Sequence, residues 1–218
     1  SRKMRQQTKG LMYLLDSTSL TLKGREFDRW TQANRTQHTQ GVKLHMLFDA
    51  NVEAPAWHCL SAANVNDVEM APAVPLERDA TYVFDKGYTA YNWWNSIDTA
   101  GSKFVTRFKR TAGIETLHEL PIPAEVQGHV LSDRIVRFKH KRPGGSRINR
   151  YHGKHLRCIT VARDDGQAPL VFATNDFDSS AVEIAQAYKA RWGIELFFKW
   201  IKQHLEIKQF LGRSENAV

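Results

Sequence analysis

The run Leu11-Met12-Tyr13-Leu14-Leu15-Asp16-Ser17-Thr18-Ser19-Leu20 constrains the fold most, because an otherwise apolar strand carries a carboxylate in its middle. Such a run reads as a buried strand, and a charge within it belongs where the sheet meets solvent. A second strand, Thr81-Tyr82-Val83-Phe84-Asp85, ends on another aspartate. Carboxylates placed in this way lie at a sheet margin, where a crossing helix can deliver a third.

The rest of the pattern supplies that helix. Val42 to Phe48 and Ala54 to Leu60 flank a polar turn and read as a hairpin, with His45 and His58 on one sheet face. Asn66-x-x-Glu69 has capping-box spacing and predicts a short helix through Ala71 to Leu76. Tyr91 to Ala100 predicts a helix stopped by Gly101, and Lys103 to Phe108 the next strand. Ser180-Ala181-Val182-Glu183 is a capping box opening one long helix to about Glu206. At 100° per residue, Ala187, Ala190, Ile194, Phe197, Phe198, Ile201 and Leu205 form its core arc. Tyr188, Arg191, Glu195 and Lys202 share an adjacent arc about 60° wide.

The expected architecture is therefore α/β. Residues 1–10 read as a tail or the remnant of a preceding region, and 11–108 as the first part of the core. Residues 109–169 read as a basic β-rich insertion, with strands at Val130 to Lys139 and Leu156 to Arg163. Residues 170–218 hold the last strand and the long helix. The chain opens on Ser1 without an initiator methionine, and a fragment of a longer protein is expected.

Charge points to the partner. The net charge is +8, yet Arg134 to Arg157 alone carry nine Lys/Arg and no Asp or Glu. Without that stretch, 22 basic residues face 23 acidic ones. A local excess of this kind suits a polyanion, with Arg137, Lys139, Lys141, Arg142, Arg147, Arg150 and Lys154 as candidate nucleic-acid contacts, although a solvated hairpin tip at Lys141 to Ser146 is the other reading. Cys59 and Cys158 stand alone, which excludes a disulfide scaffold and a zinc ribbon. No apolar run approaches 18 residues, so no membrane span is expected. Nucleotide-binding glycine motifs, HExxH and G-x-S-x-G are absent.

Each acid also has an ordinary reading: Asp85 starts a turn, Glu195 sits on a helix surface, and Asp67 complements a helix N-terminus. Asp28 and Asp49 read as solvated loop residues. Three converging acids would suit hard divalent cations. Two such ions about 4 Å apart would favour in-line attack on a phosphodiester.

In combination, these residues resemble the catalytic domain of bacterial insertion-sequence transposases of the DDE class, group four. Asp16 in Leu14-Leu15-Asp16-Ser17-Thr18 resembles the first acid, and Asp85 in Phe84-Asp85-Lys86-Gly87-Tyr88 the second. Tyr188-x2-Arg191-x3-Glu195-x6-Lys202 matches the third-acid motif at all four positions. The resemblance implies a ribonuclease H-like mixed sheet flanked by helices, with a β-rich insertion before the last long helix. It implies two Mg²⁺ ions, or Mn²⁺ in their place, on Asp16, Asp85 and Glu195. It further implies cleavage at transposon ends and 3′-hydroxyl strand transfer, with double-stranded DNA at the ends and target. A homodimer of the full-length protein and a cytoplasmic, nucleoid-associated location follow from the same source. Tyr188, Arg191 and Lys202 would meet DNA near the cut. Trp192 matches a position that stacks on a displaced base in some relatives, although a packed tryptophan fits as well. A non-catalytic DNA-binding remnant and a nuclease without strand transfer remain the alternatives.

Overall fold

The computed structural model describes residues 10–22, 32–33, 40–143 and 146–204. Among the described residues one ten-stranded mixed sheet forms, in the order β2-β3-β1-β5-β6-β10-β9-β8-β7, and β4 also pairs with β3. The strands are β1 (Met12–Thr21), β2 (Gln32–Ala33), β3 (Gln40–Asp49), β4 (Ala54–Ala62), β5 (Thr81–Phe84), β6 (Lys103–Arg107), β7 (Ile114–Glu119), β8 (Val130–Phe138), β9 (Leu156–Val161) and β10 (Leu170–Thr174). The helices are α1 (Asp67–Met70), α2 (Tyr91–Thr99), α3 (Ala181–Ala190) and α4 (Trp192–His204). The central trio β1, β5 and β6 is parallel, and the other pairings are antiparallel.

Both faces of the trio are covered, which is why its strands read as almost continuous apolar runs. Tyr13, Leu15, Tyr82, Phe84 and Phe104 point to the side that carries α2 and its Trp93, Trp94 and Ile97. Met12, Leu14, Val83 and Val105 point to the other side, against Ile184, Tyr188, Ile194, Phe198 and Ile201 of α3 and α4. The pattern 184, 188, 194, 198, 201 follows the helical period, so the amphipathic arc seats these helices on the sheet.

The β-rich stretch shares this core. Phe138 and Tyr151 pack into the α2 side, and β9 pairs with β10, which in turn pairs with β6. Asp98 of α2 fastens the stretch further, accepting hydrogen bonds from Lys154 Nζ (2.7 Å) and Asn175 Nδ2 (2.9 Å). The strand β7, with its polar sequence Ile-Glu-Thr-Leu-His-Glu, lacks a periodic signal and lies at the sheet edge.

Three local expectations change. The long helix is interrupted at Arg191, where backbone bonds span three residues (Arg191 N to Tyr188 O, 3.1 Å; Ile194 N to Arg191 O, 3.2 Å). Gly193, a poor helix former, follows the interruption. A Cβ there would lie 3.6 Å from Leu14 Cδ1, an ordinary contact, so α4 packs on β1 without requiring glycine at this position. Leu205 and the predicted end of that helix lie outside the described residues. The Asn66 capping box does not form: the Asn66 side chain bonds Glu69 Oε1 and caps no backbone N–H. That helix ends at Met70, and a 3-10 turn carrying Pro72 follows it. Finally, His45 pairs with Cys59 and His58 with Met46, so the two histidines face opposite sides of the sheet.

Candidate active site

Strand register builds the site. In the parallel pair, Leu15 stands beside Phe84, the last matched position. One residue further on come Asp16 and Asp85, neighbours where the two strands part. Their side chains follow Leu14 and Val83 toward the α3/α4 face, since alternate residues share a face. Asp85 also caps the next 3-10 turn, accepting from Gly87 N at 2.9 Å. The turn and site readings of Asp85 are therefore compatible.

The two helices close the site from above. Arg191, at their junction, reaches Asp16 Oδ2 with Nη1 (2.9 Å) and Glu195 Oε1 with Nη2 (2.6 Å). Its guanidinium carbon lies 5.5 Å from the Tyr188 ring centre. The Tyr188 hydroxyl in turn lies 3.5 Å from Asp85 Oδ2, a long contact. Asp16, Asp85 and Glu195 are thus joined through one arginine and one tyrosine. Lys202 lines the same open cleft as Asp16, Ser17, Thr18, Glu195 and Lys199. Trp192 is 61% exposed, so it is not a packed core tryptophan.

Burial pushes the Asp16 carboxyl up to about 6; Arg191 and the Ser17 N–H pull against that, and the charges of Glu195 and Asp85 add to it. That mutual influence places all three acids within electrostatic range. Oxygen donors of this kind fit a hard divalent cation. In this arrangement, however, the positive charge between Asp16 and Glu195 is a guanidinium. Among the described residues, no three His, Cys, Asp or Glu stand together as a ready metal site.

A fourth carboxylate lies alongside, which the sequence pattern assigns only to a helix N-terminus. Asp67 accepts from Ser17 Oγ (2.9 Å) and Lys43 Nζ (3.2 Å). A Cβ at Gly87 would lie 3.0 Å from Asp67 Oδ2 and 3.7 Å from Asp85 Oδ1, so a larger residue there would press on the Asp67 carboxylate. Behind this cluster, buried His45 lies 3.0 Å from the Tyr88 hydroxyl and 2.9 Å from Ser61 Oγ. No local pattern marks these contacts; they arise where β3, β4 and α1 meet.

Burial lowers His45 from 6.5 to about 4, with Asp67 opposing and Lys43 assisting. Its neutral ring therefore favours the fold fully above about pH 6.5, and that support is lost as pH falls toward about 4. Asp16 acts in the opposite direction: its raised value favours the fold increasingly as pH falls from about 6 toward 3.8. Urea unfolding in chelator across this range should show wild type losing stability relative to His45→Asn and gaining it relative to Asp16→Asn. Parallel pH profiles would refute both assignments.

The basic stretch divides into two groups. Arg157 is buried on Asp133, and Arg134 bonds Thr116 Oγ1 and the Cys158 sulfur. Arg137 pairs with Glu115, and Lys154 with Asp98. Lys139, Lys141, Arg142, Arg147 and Arg150 are exposed and form no ion pair with a described residue. The Arg150 N–H bonds Asn92 Oδ1 at the start of α2, which docks this turn near the segment that follows Asp85.

The mixed sheet and its flanking helices form a fold shared with a solved transposase structure. The synaptic complex of piggyBac transposase with hairpin DNA contains a chain of similar fold (TM-score 0.53, 12% identity), covering 89% of this chain and 41% of that one. Residues 8–218 match the transposase DDE domain family, and the chain belongs to it. A Sinorhizobium fredii protein named as a transposase, y4zB, is 39% identical over the whole chain, which spans 58% of that protein. A Geobacillus stearothermophilus protein, named as a transposase for insertion sequence element IS5377, is 24% identical over 94% of this chain and 51% of its own length. A Synechocystis protein, named as a transposase for IS4SA, is 44% identical over 138 residues. The chain thus spans about half the length of the first two relatives. Among the described residues, no helix is long and apolar enough to cross a membrane.

Proposed function

We propose that this chain is the catalytic part of an insertion-sequence transposase with a ribonuclease H-like fold, cutting DNA at transposon ends and joining the freed 3′-hydroxyl to target DNA. The observation that carries this reading is the register Leu15 beside Phe84, which sets Asp16 next to Asp85 under Glu195 in a chain of this family. These three acids would hold the divalent ions, Mg²⁺ or Mn²⁺. When bound, such ions activate an attacking oxygen and stabilise the leaving one. Arg191 and Lys202 bind the phosphates of the strand being cut, Arg191 through a planar fork and Lys202 as a point charge. Tyr188 orients Arg191 and Asp85. Trp192, exposed at the start of α4 beside Arg191, offers a stacking surface for an unpaired base. The exposed cations of the β8–β9 connection track backbone. Two copies acting on two ends, on chromosomal DNA in a bacterial cytoplasm, complete the reading.

Supercoiled DNA carrying a mini-transposon with the native ends of its element provides the test. The full-length protein should give joined products with Mg²⁺ and none in chelator. Cleavage without joining would reduce the reading to a nuclease. Binding without cleavage, with either metal, would reduce it to a DNA-binding remnant.

The role of the basic turn is tested separately. Replacing Lys141, Arg142 and Arg147 with glutamine should flatten the dependence of log affinity on log salt by up to about 3 units, near 0.9 per lost phosphate contact. Fluorescence anisotropy with a labelled duplex measures this, and an unchanged slope would place the turn off the DNA.

A further inference from the structure

Arg191 is more deeply committed than a DNA-gripping arginine needs to be. Its side chain is only 16% exposed, and both terminal nitrogens are spent on Asp16 and Glu195. Its Nε is buried and meets no acceptor among the described residues. The Tyr188 ring lies below it, and the Tyr188 hydroxyl leads on to Asp85. The guanidinium therefore stands where a cation shared by the acids would stand. Without it, Asp16 and Glu195 would face each other with no positive charge between them, at a cost that rises steeply away from bulk water.

Its place in the backbone matters equally. Arg191 is the joint between α3 and α4, and its backbone bonds on both sides are short-range ones. A residue at such a joint can swing its side chain without unwinding either helix. The direction of swing is set by chemistry: phosphate offers the same fork of oxygens as the carboxylates, plus an acceptor for Nε.

We propose that Arg191 is the resident counter-cation of the carboxylate cluster, giving up that place to a divalent ion when a DNA phosphate takes its guanidinium. This rests on the reading of Asp16, Asp85 and Glu195 as metal-holding acids. It adds an order of events: without DNA, the arginine competes with the metal and keeps the cluster weakly loaded. With DNA, the arginine moves and the acids become available. Linkage then requires metal to tighten DNA binding by the same factor by which DNA tightens metal binding.

Mn²⁺ binding to the 218-residue chain, followed by titration calorimetry and by the electron paramagnetic resonance of free Mn²⁺, tests the exchange without any turnover. Wild type, Arg191→Gln and Arg191→Lys are compared with and without a duplex oligonucleotide of arbitrary sequence. Without DNA, Arg191→Gln should bind Mn²⁺ about tenfold more tightly than wild type, and Arg191→Lys should stay near wild type. The duplex should tighten Mn²⁺ binding to wild type by a similar factor, and to Arg191→Gln by much less. Equal Mn²⁺ affinity in wild type and Arg191→Gln would overturn the counter-cation role and leave the metal reading standing. No Mn²⁺ binding by any form, with or without duplex, would remove the metal reading as well. If the glutamine variant does not fold, wild type alone decides: Mn²⁺ affinity indifferent to duplex overturns the exchange.

Discussion

Asp85→Asn is expected to lower Mg²⁺-dependent cleavage of end DNA by about 10³-fold or more while leaving duplex binding within about twofold. The substitution is close to isosteric. The amide oxygen of the new side chain can still accept from Gly87 N, as the Asp85 carboxylate does at 2.9 Å, so the 3-10 turn and the start of α2 should stay in place. What is removed is a negative charge on the one margin where β1 and β5 present their acids side by side. The Tyr188 hydroxyl contacts Asp85 only at 3.5 Å, so little is lost there. Cleavage rates on pre-nicked and intact ends, with anisotropy for binding and a thermal melt for folding, separate these effects. Cleavage within about tenfold of wild type would remove Asp85 from the chemistry.

The largest effect on stability is expected far from the acids. Arg157 and Asp133 form a buried fork pairing β9 with β8, at 2.8 Å (Nε to Oδ1) and 2.5 Å (Nη2 to Oδ2), with side chains 7% and 5% exposed. Arg157 Nη1 continues to the carbonyls of Asp176 and Ser179, just before the Ser180 cap of α3. Arg157→Ala would leave Asp133 ionised and buried without a partner, a loss of about 3–5 kcal/mol. For a chain of this size, that corresponds to a melting point lower by about 10 °C. Arg157→Met with Asp133→Leu should recover most of it, because the cost lies in the stranded charge and not in the missing pair. A single substitution costing under about 1 kcal/mol would show that water reaches Asp133.

What can be read locally and what cannot separate along the same physical line. Tyr188, Arg191 and Glu195 are legible because a helical period fixes their relation within a few residues. Asp16 and Asp85 are legible as strand carboxylates, but their adjacency depends on a parallel register between segments about 70 residues apart, which periodicity does not encode. Counting at 100° per residue also carries the helix straight through Arg191, since that count contains nothing about the three-residue backbone bonds that interrupt it there. Asp67 does stand at a helix start, as its sequence context indicates, yet its partners Ser17 and Lys43 come from other strands. Arg157 falls within the basic stretch because composition does not distinguish a buried fork from an exposed one.

The continuity of the sheet has a consequence for redesign. β10 lies between β6 and β9, so excising residues 109–169 would strip one side of β10 and expose a row of unpaired amides and carbonyls. Such a raw edge invites association with other chains, and the truncated protein would tend to precipitate. The tolerant place for exchange is the short turn closed by Asn149 N to Lys141 O, where cations can be traded without touching a ladder. Exchanges there would test the proposed DNA contacts on an unchanged frame.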